Sequence, residues 1–297
     1  MRRAVLIVNP FASRVTAEKL AAVQQELERV VTLTVIETER PQHATELVSQ
    51  ACGAGDVQAV LVFSGDGGFN EALNGLSGDM PIGFLPGGGT SVLPRALGLP
   101  LDPVAAARQL ADALEHNRTR RISLGRVNGR RFAFSAGVGL DAAAVRRVDE
   151  MGRARDGKRP GDIAFALAVL RVLAAERGHL EPSLEVKGMG RAVCVFVANT
   201  HPYTYAKRLP LPIAPEAKFE LGLDMVAPVR IRRRSLLRTA YAVLAGHPRN
   251  GMLYAHDADR IEVVCDRPMP LQVDGEDLGD VTEVVFEAER GAVSVLT

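Results

Sequence analysis

The residue types best suited to chemistry crowd into FSGDGGFNEALNGL, residues 63–76, directly behind the apolar run 57–63. A buried strand that ends in Ser64, Gly65, Asp66, Gly67 and Gly68 and turns into a helical pattern sets backbone N–H groups at the carboxyl edge of a sheet. Ligands bind at that edge in open α/β folds. Glycine lets a backbone approach phosphate closely, and a helix N-terminus favours the negative charge. Asp66 inside such a turn would repel phosphate unless a cation lay between them, so it is the expected Mg²⁺ ligand. A second run, PGGGTS, repeats strand, glycine turn and helix with Gly87, Gly88, Gly89 and Ser91. A Gly-Asp-Gly turn alone is commonplace; two such turns at adjacent strand ends form a nucleotide cradle.

Other chemistries lack their motifs. There is no G-x-x-x-x-G-K-[ST] phosphate loop and no G-x-S-x-G elbow, and the histidines show no metal spacing. GVGLDA, residues 137–142, fits G-x-G-x-x-A formally. It lies where the chain has turned β-rich with no βαβ unit following, so a dinucleotide fold is rejected there.

The elements that must position these residues follow a βαβαβ rhythm over the first 120 or so residues. Strand patterns at 4–8, 32–38 and 57–63 alternate with helical ones at 17–30 and 45–52, which favours a parallel sheet covered by helices. Thr16 can cap the first helix and Gly53 can end the second. A strand at 81–85 enters the second turn, and helical stretches follow at 93–97 and 102–116. From about residue 121 the pattern changes to short strands at 131–135, 183–187, 193–198, 259–265, 271–273 and 282–287, interrupted by helical inserts at 162–175 and 232–245. Domains of 1–122 and 123–297 result, the last strand being free to return to the first.

Length agrees, since 297 residues exceed a domain of roughly 150. Thirty-six Lys and Arg against thirty-five Asp and Glu give a formal charge of +1, so no broad cationic field exists to hold nucleic acid. Cys52, Cys194 and Cys265 are isolated and read as core residues in a reducing cytoplasm. AVLIV near the start is too short for a signal segment. IAFALAVLRVLAA carries an arginine and falls short of the roughly 20 residues of a membrane span.

With both glycine turns in view, the sequence resembles the diacylglycerol kinase and sphingosine kinase family of lipid kinases, especially soluble bacterial members. SGDGGFNEALNGL is similar to G-G-D-G-T-x-N-E-x-x-N-G-L, and PIGFLPGGGTSVLPRALGLP to P-x-G-T-x-N-x-x-A-R-x-L-G-x-P. VNPFAS, SAGVGLDA and LQVDGE resemble the family's N-P-x-S, G-x-G-x-D-A and V-D-G-E segments, and HPYTYAKRLPLPIAPEAKFELGLD resembles actinobacterial relatives. These matches run in order over nearly the whole chain.

The resemblance implies an ATP-dependent kinase of a lipid hydroxyl: a Rossmann-like α/β domain with a mostly parallel sheet, a C-terminal β-sandwich, and an active site in the interdomain cleft. By motif, Asn9, Ser64, Gly65, Asp66, Gly67, Gly68, Asn70 and Glu71 fall on nucleotide-side and metal-side positions, with Gly87, Gly88, Gly89 and Ser91 in the second turn. Asp274, with Glu276 beside it, falls on the family's proposed general base. The chemistry supports that assignment, because an alcohol attacking a γ-phosphoryl group needs a carboxylate to accept its proton; as a plain turn acid, VDGE would be unremarkable.

The chain departs from the pattern at several places. Gly68 and Gly89 stand where the family usually has Thr, Ser91 where it has Asn, and Val92, Ser123 and Leu221 where relatives often carry acids. Asp66 thereby loses carboxylate partners, which leaves open a catalytically weakened nucleotide- or lipid-binding regulator. An NAD kinase-like enzyme, which shares the G-D-G turn, is the other rival.

A lipid kinase without a membrane span must dock peripherally at the membrane's inner face. The expected surfaces are the arginines of RIRRRSLLRTAYAVLAGHPR (Arg230, Arg232, Arg233, Arg234 and Arg238) and of RRVDEMGRARDGKR, unless these are ordinary solvated helix faces. Residues 163–173 are candidates for an acyl pocket or plain core. A homodimer stays open.

Overall fold

The computed structural model describes residues 2–150, 180–206, 209–232 and 251–297. The expected inserts at 162–175 and 232–245, the acyl-pocket candidates at 163–173, and Arg233, Arg234 and Arg238 lie outside the described residues, apart from Arg232. The chain divides into two compact units, Met1–Ile122 with Gly291–Thr297, and Ser123–Arg290.

The first unit opens with β1 (Arg2–Val8), α1 (Ala17–Leu27), β2 (Val31–Glu37), α2 (His43–Gly53) and β3 (Val57–Ser64). It continues with α3 (Asp66–Gly75), β4 (Ile82–Pro86), α4 (Val92–Ala96) and α5 (Pro103–His116). The strands pair in parallel in the order β2, β1, β3, β4, and Val295 near the C-terminus pairs in parallel with Ile82. Residues 4–8 and 59–64 are buried without alternation, as strands covered on both faces must be. The caps are chemical. Thr16 Oγ1 accepts the Lys19 N–H at 3.3 Å and the Asp102 carboxylate accepts that of Ala105 at 2.9 Å, each worth about 1 kcal/mol.

In the second unit, β5 (Thr119–Val127), which starts in the first, is followed by β6 (Arg130–Phe132), β7 (Ser135–Val138), α6 (Leu140–Glu150), β8 (Leu184–Val186), β9 (Gly190–Ala192) and β10 (Val195–Ala198). After these come β11 (Thr204–Ala206), β12 (Leu209–Leu211), β13 (Leu223–Pro228), β14 (Met252–Ala258), β15 (Arg260–Val273) and β16 (Glu276–Leu296). The pairing β14, β13, β10, β7, β15, β16 is antiparallel throughout. β15 pairs with β8 through residues 263–265 and with β7 through residues 271–273. Between these lies a register shift at 264–269. A strand that bends at a bulge and changes partner is how sandwich corners are made. Along β10, Val195 and Val197 enter one core cluster while Phe196 and Ala198 enter another, so both faces of this strand are covered.

Several expectations need adjusting. The strands expected at 259–265 and 271–273 are one, β15, because the bulge interrupts pairing without ending the strand. A helix, α6, does begin within GVGLDA, at Leu140, but β7 has antiparallel neighbours on both sides, so no βαβ unit forms. Residues 66–68, expected as loop, form the first turn of α3.

Candidate nucleotide turns and candidate base

The strand β3 leads straight into α3, with Gly65 as an extended N-cap and no side chain capping the helix. Phe69, one residue past the glycines, packs edge-on to Phe84 of β4, ring centroids 5.1 Å apart. Such a pair adds about 1 kcal/mol beyond its burial and ties the helix to the strand that delivers the second turn. On the other side, a β-carbon on Gly75 would overlap the Thr45 carbonyl, so α3 lies close against α2.

Asn9, Ser64, Gly65, Asp66, Gly67, Gly68, Gly87, Gly88, Gly89 and Ser91 are thus brought to the carboxyl ends of β1, β3 and β4. The Gly87 N–H donates to the Ser64 carbonyl at 2.7 Å. A β-carbon on Gly88 would stand 2.8 Å from the Gly65 α-carbon, and one on Gly87 2.8 Å from Val15 Cγ2. The β1–α1 loop joins them: Asn9 N–H donates to the Phe63 carbonyl at 2.9 Å, Asn9 Oδ1 accepts the Phe11 N–H at 3.0 Å, and Arg14 N–H donates to the Gly87 carbonyl at 2.9 Å.

Asp66 bridges the two turns. Its Oδ1 accepts the Leu93 N–H at 3.2 Å, and the N–H groups of Ser91 and Val92 also bond it. Burial pushes its pKa up, while these amides and Arg95 pull the other way. Ser91 is itself in the left-handed region at φ 52, its Oγ donating to the Gly88 carbonyl at 3.2 Å. Ser64 Oγ is buried with no hydrogen-bond partner among the described residues, and it fills the space a β-carbon on Gly68 would need. Asn70 is buried, its carbonyl and Oδ1 accepting the Asn74 amide at 2.8 and 3.2 Å. The Glu71 carbonyl accepts the Thr45 hydroxyl at 2.8 Å.

Asp274 and Glu276 lie in the second unit, on the β15–β16 hairpin. Asp274 (φ 46) and Gly275 (φ 80) form its two-residue turn, the left-handed pair that an Asp-Gly sequence supports. The Asp274 carboxylate is buried and accepts three consecutive N–H groups, those of Ala133, Phe134 and Ser135, at 2.7, 3.0 and 3.0 Å. Asn199 holds the same segment from its carbonyl side: its Nδ2 donates to the Ala133 and Ser123 carbonyls at 2.8 and 2.9 Å, and its N–H to the Phe134 carbonyl at 3.0 Å. Glu276 is ion-paired with Arg130. Asn199 carried no signal in the sequence beyond being a polar residue beside an apolar strand. Asp141, Tyr203 and Gln272, which surround this hairpin, lie inside the family-like segments SAGVGLDA, HPYTYAKRLP and LQVDGE without having been singled out as site residues.

For a divalent cation, Asp66 is the one predicted ligand. Among the described residues the only cluster of three or more liganding side chains is Asp112, Glu115 and His116, all exposed and away from the turns on α5. Mg²⁺ is commonly held by one or two carboxylates together with substrate phosphates, so Asp66 fits an ion carried in by a nucleotide and not a cage made by the protein alone.

Residues 3–127 match the family model described as the diacylglycerol kinase catalytic domain, and residues 134–297 the one described as the YegS C-terminal NAD kinase beta sandwich-like domain. The chain belongs to the diacylglycerol kinase family of lipid kinases. It is 29% identical over 294 residues to a diacylglycerol kinase of Bacillus subtilis, covering 93% of this chain and 90% of that protein. A crystal structure of a putative diacylglycerol kinase from Bacillus anthracis shares the fold, with TM-score 0.77 at 21% identity over 99% of this chain and 95% of that one. An NAD kinase from Archaeoglobus fulgidus solved with ATP is more distant, at TM-score 0.55 and 14% identity over 99% and 93% of the two chains. The protein is thus a kinase of the lipid-kinase type, with an α/β first domain and a sandwich-like second one. No helix among the described residues is long and apolar enough to cross a membrane.

Proposed function

We propose that this kinase transfers the γ-phosphoryl group of ATP to the hydroxyl of diacylglycerol or a similar long-chain alcohol. The observation that carries this reading is the backbone contact between Gly65 and Gly88, which puts two side-chain-free turns at adjoining strand ends. The first-turn N–H groups of α3, uncapped by any side chain, face the nucleotide phosphates, and the helix dipole stabilises their charge. Asn9, Asn70, Glu71 and Ser91 hold the turns in shape and complete the nucleotide side. Mg²⁺, when bound with the nucleotide, offsets charge on the phosphates, and Asp66 is the residue that would hold it.

Phosphoryl transfer asks the protein mainly for positioning and electrostatics. Asp274 accepts the proton of the attacking hydroxyl, and the three amides hold its carboxylate in one direction and stabilise its charge. Glu276, fixed by Arg130, supports the acceptor side. The protein acts in the cytoplasm and meets its lipid at the membrane surface by peripheral contact.

A panel of acceptors separates the readings. Transfer of label from γ-labelled ATP into lipid in mixed micelles, abolished by EDTA and restored by Mg²⁺, supports the proposal. Transfer to NAD in the absence of lipid and detergent selects an NAD kinase. ATP binding by calorimetry with no transfer to any acceptor selects a regulator.

A further inference from the structure

Helix α6 grips both strands of the hairpin that carries Asp274. On β15, the buried Gln272 side chain meets three groups. Its Oε1 accepts the Gly275 N–H at 2.9 Å, and its Nε2 lies 3.0 Å from both Asp141 Oδ2 and the Tyr203 hydroxyl. Tyr203 in turn donates to Asp141 Oδ2 at 2.7 Å, while Asp141 Oδ1 accepts the Ala142 N–H at 2.8 Å. On β16, Arg146 pairs with Asp277 at 2.7 Å and with Asp280 at 2.7 Å.

Asp141 is an unexpected residue in this place. It is buried, its pKa is pushed up by that burial, and among the described residues the groups that offset this are the Tyr203 hydroxyl, the Gln272 amide and backbone N–H, not a cation. A buried acid without a cation is costly unless something else requires it. What it does here follows from donor and acceptor types. With the Ala142 N–H, the Tyr203 hydroxyl and the Gln272 amide all directed at its oxygens, the carboxyl group is the acceptor of the set, so the NH₂ end of Gln272 turns toward it and the carbonyl end must then face Gly275. Gly275 is the second half of the turn whose first half is Asp274.

We propose that Asp141 is a positioning residue for Asp274: by imposing one orientation on the Gln272 amide it fixes the Gly275 half of the turn, and so the direction in which the Ala133, Phe134 and Ser135 amides hold the Asp274 carboxylate. The inference rests on Asp274 as proton acceptor. In Asp141→Asn, the new NH₂ must face either Ala142 N–H or the Gln272 and Tyr203 donors, so one contact fails. In Gln272→Glu, two carboxylates face each other. In the double variant the polarity is reversed and complete: the residue-141 amide donates to the residue-272 carboxylate, which still accepts Gly275 N–H.

The three variants and Asp274→Asn are assayed with γ-labelled ATP and diacylglycerol in mixed micelles. Each single change at 141 or 272 lowers kcat about 100-fold, as a displaced reacting group does, with KM for ATP within about twofold because uniform binding is untouched. The double variant recovers to within about fivefold of the unaltered protein, since the coupled pair is restored. Loss in the double variant as deep as the product of the singles, or unchanged kcat in Asp141→Asn, overturns the proposal. Full activity in Asp274→Asn instead overturns the assignment of the base. Amide hydrogen exchange reads the relationship without turnover: the Ala133, Phe134, Ser135 and Gly275 amides exchange at least about tenfold faster in Asp141→Asn, and unchanged exchange there sinks the idea.

Discussion

Gly65 and Gly88 touch backbone to backbone: a β-carbon on Gly88 would stand 2.8 Å from the Gly65 α-carbon, under any ordinary carbon–carbon contact. The turn after β3 and the turn after β4 therefore act as one surface. Asp66 secures it from below by reaching across to the amides at the start of α4.

Replacing Gly88 by Ala forces the two turns apart. Isothermal calorimetry should show ATP affinity reduced by about tenfold or more, and urea unfolding a loss of about 1–3 kcal/mol from overpacking. Wild-type affinity in a folded Gly88→Ala protein would mean the contact is incidental to nucleotide binding.

A related pair is Ser64 and Gly68. The Ser64 hydroxyl occupies the space above Gly68, so Gly68→Ala should destabilise by about 1–3 kcal/mol. The same change in a Ser64→Gly background should cost much less. Equal losses in both backgrounds, by denaturant midpoint, would refute the coupling.

This part of the site was legible in sequence because its residue types are scarce and adjacent. Glycines behind an apolar run need no long-range information to be noticed, and the cap at Thr16 is local as well. The corner of β15 was not legible: its bulge falls among Asp266, Arg267 and Pro268, which read locally as a turn between two strands. Nor could the surroundings of Asp274 be read. Asp141 lies 62 positions from Tyr203 and 131 from Gln272, and only the folded sheet brings these three side chains into one hydrogen-bonded set.

The Arg146–Asp277 pair gives a pH signature. Hydrogen bonding to Arg146 lowers the Asp277 pKa below its ordinary 3.8. The pair's contribution, about 1 kcal/mol for a partly buried bridge, is therefore present above that value and is lost as pH falls through the folded-state pKa. The difference in urea midpoint between the unaltered protein and Asp277→Asn should stay constant above about pH 5 and shrink below about pH 4. A difference that widens on acidification would contradict the assignment.

Asp274→Asn keeps the size of the side chain but places an NH₂ among the three amides that now donate to it. Turnover should fall by about 100- to 10,000-fold, the usual worth of a general base, with ATP affinity within about twofold because the proposed function assigns that residue to the acceptor and not to the nucleotide. A folded variant that loses ATP binding in step with turnover would show that Asp274 serves the nucleotide instead.

The most direct measurement is transfer of labelled phosphate into the organic phase when purified protein, Mg²⁺, γ-labelled ATP and diacylglycerol micelles are combined, with Asp274→Asn run beside it. A labelled lipid product is expected from the unaltered protein and almost none from the variant. Protein that binds ATP yet labels no lipid alcohol, or a variant that labels lipid equally well, would contradict the proposed mechanism.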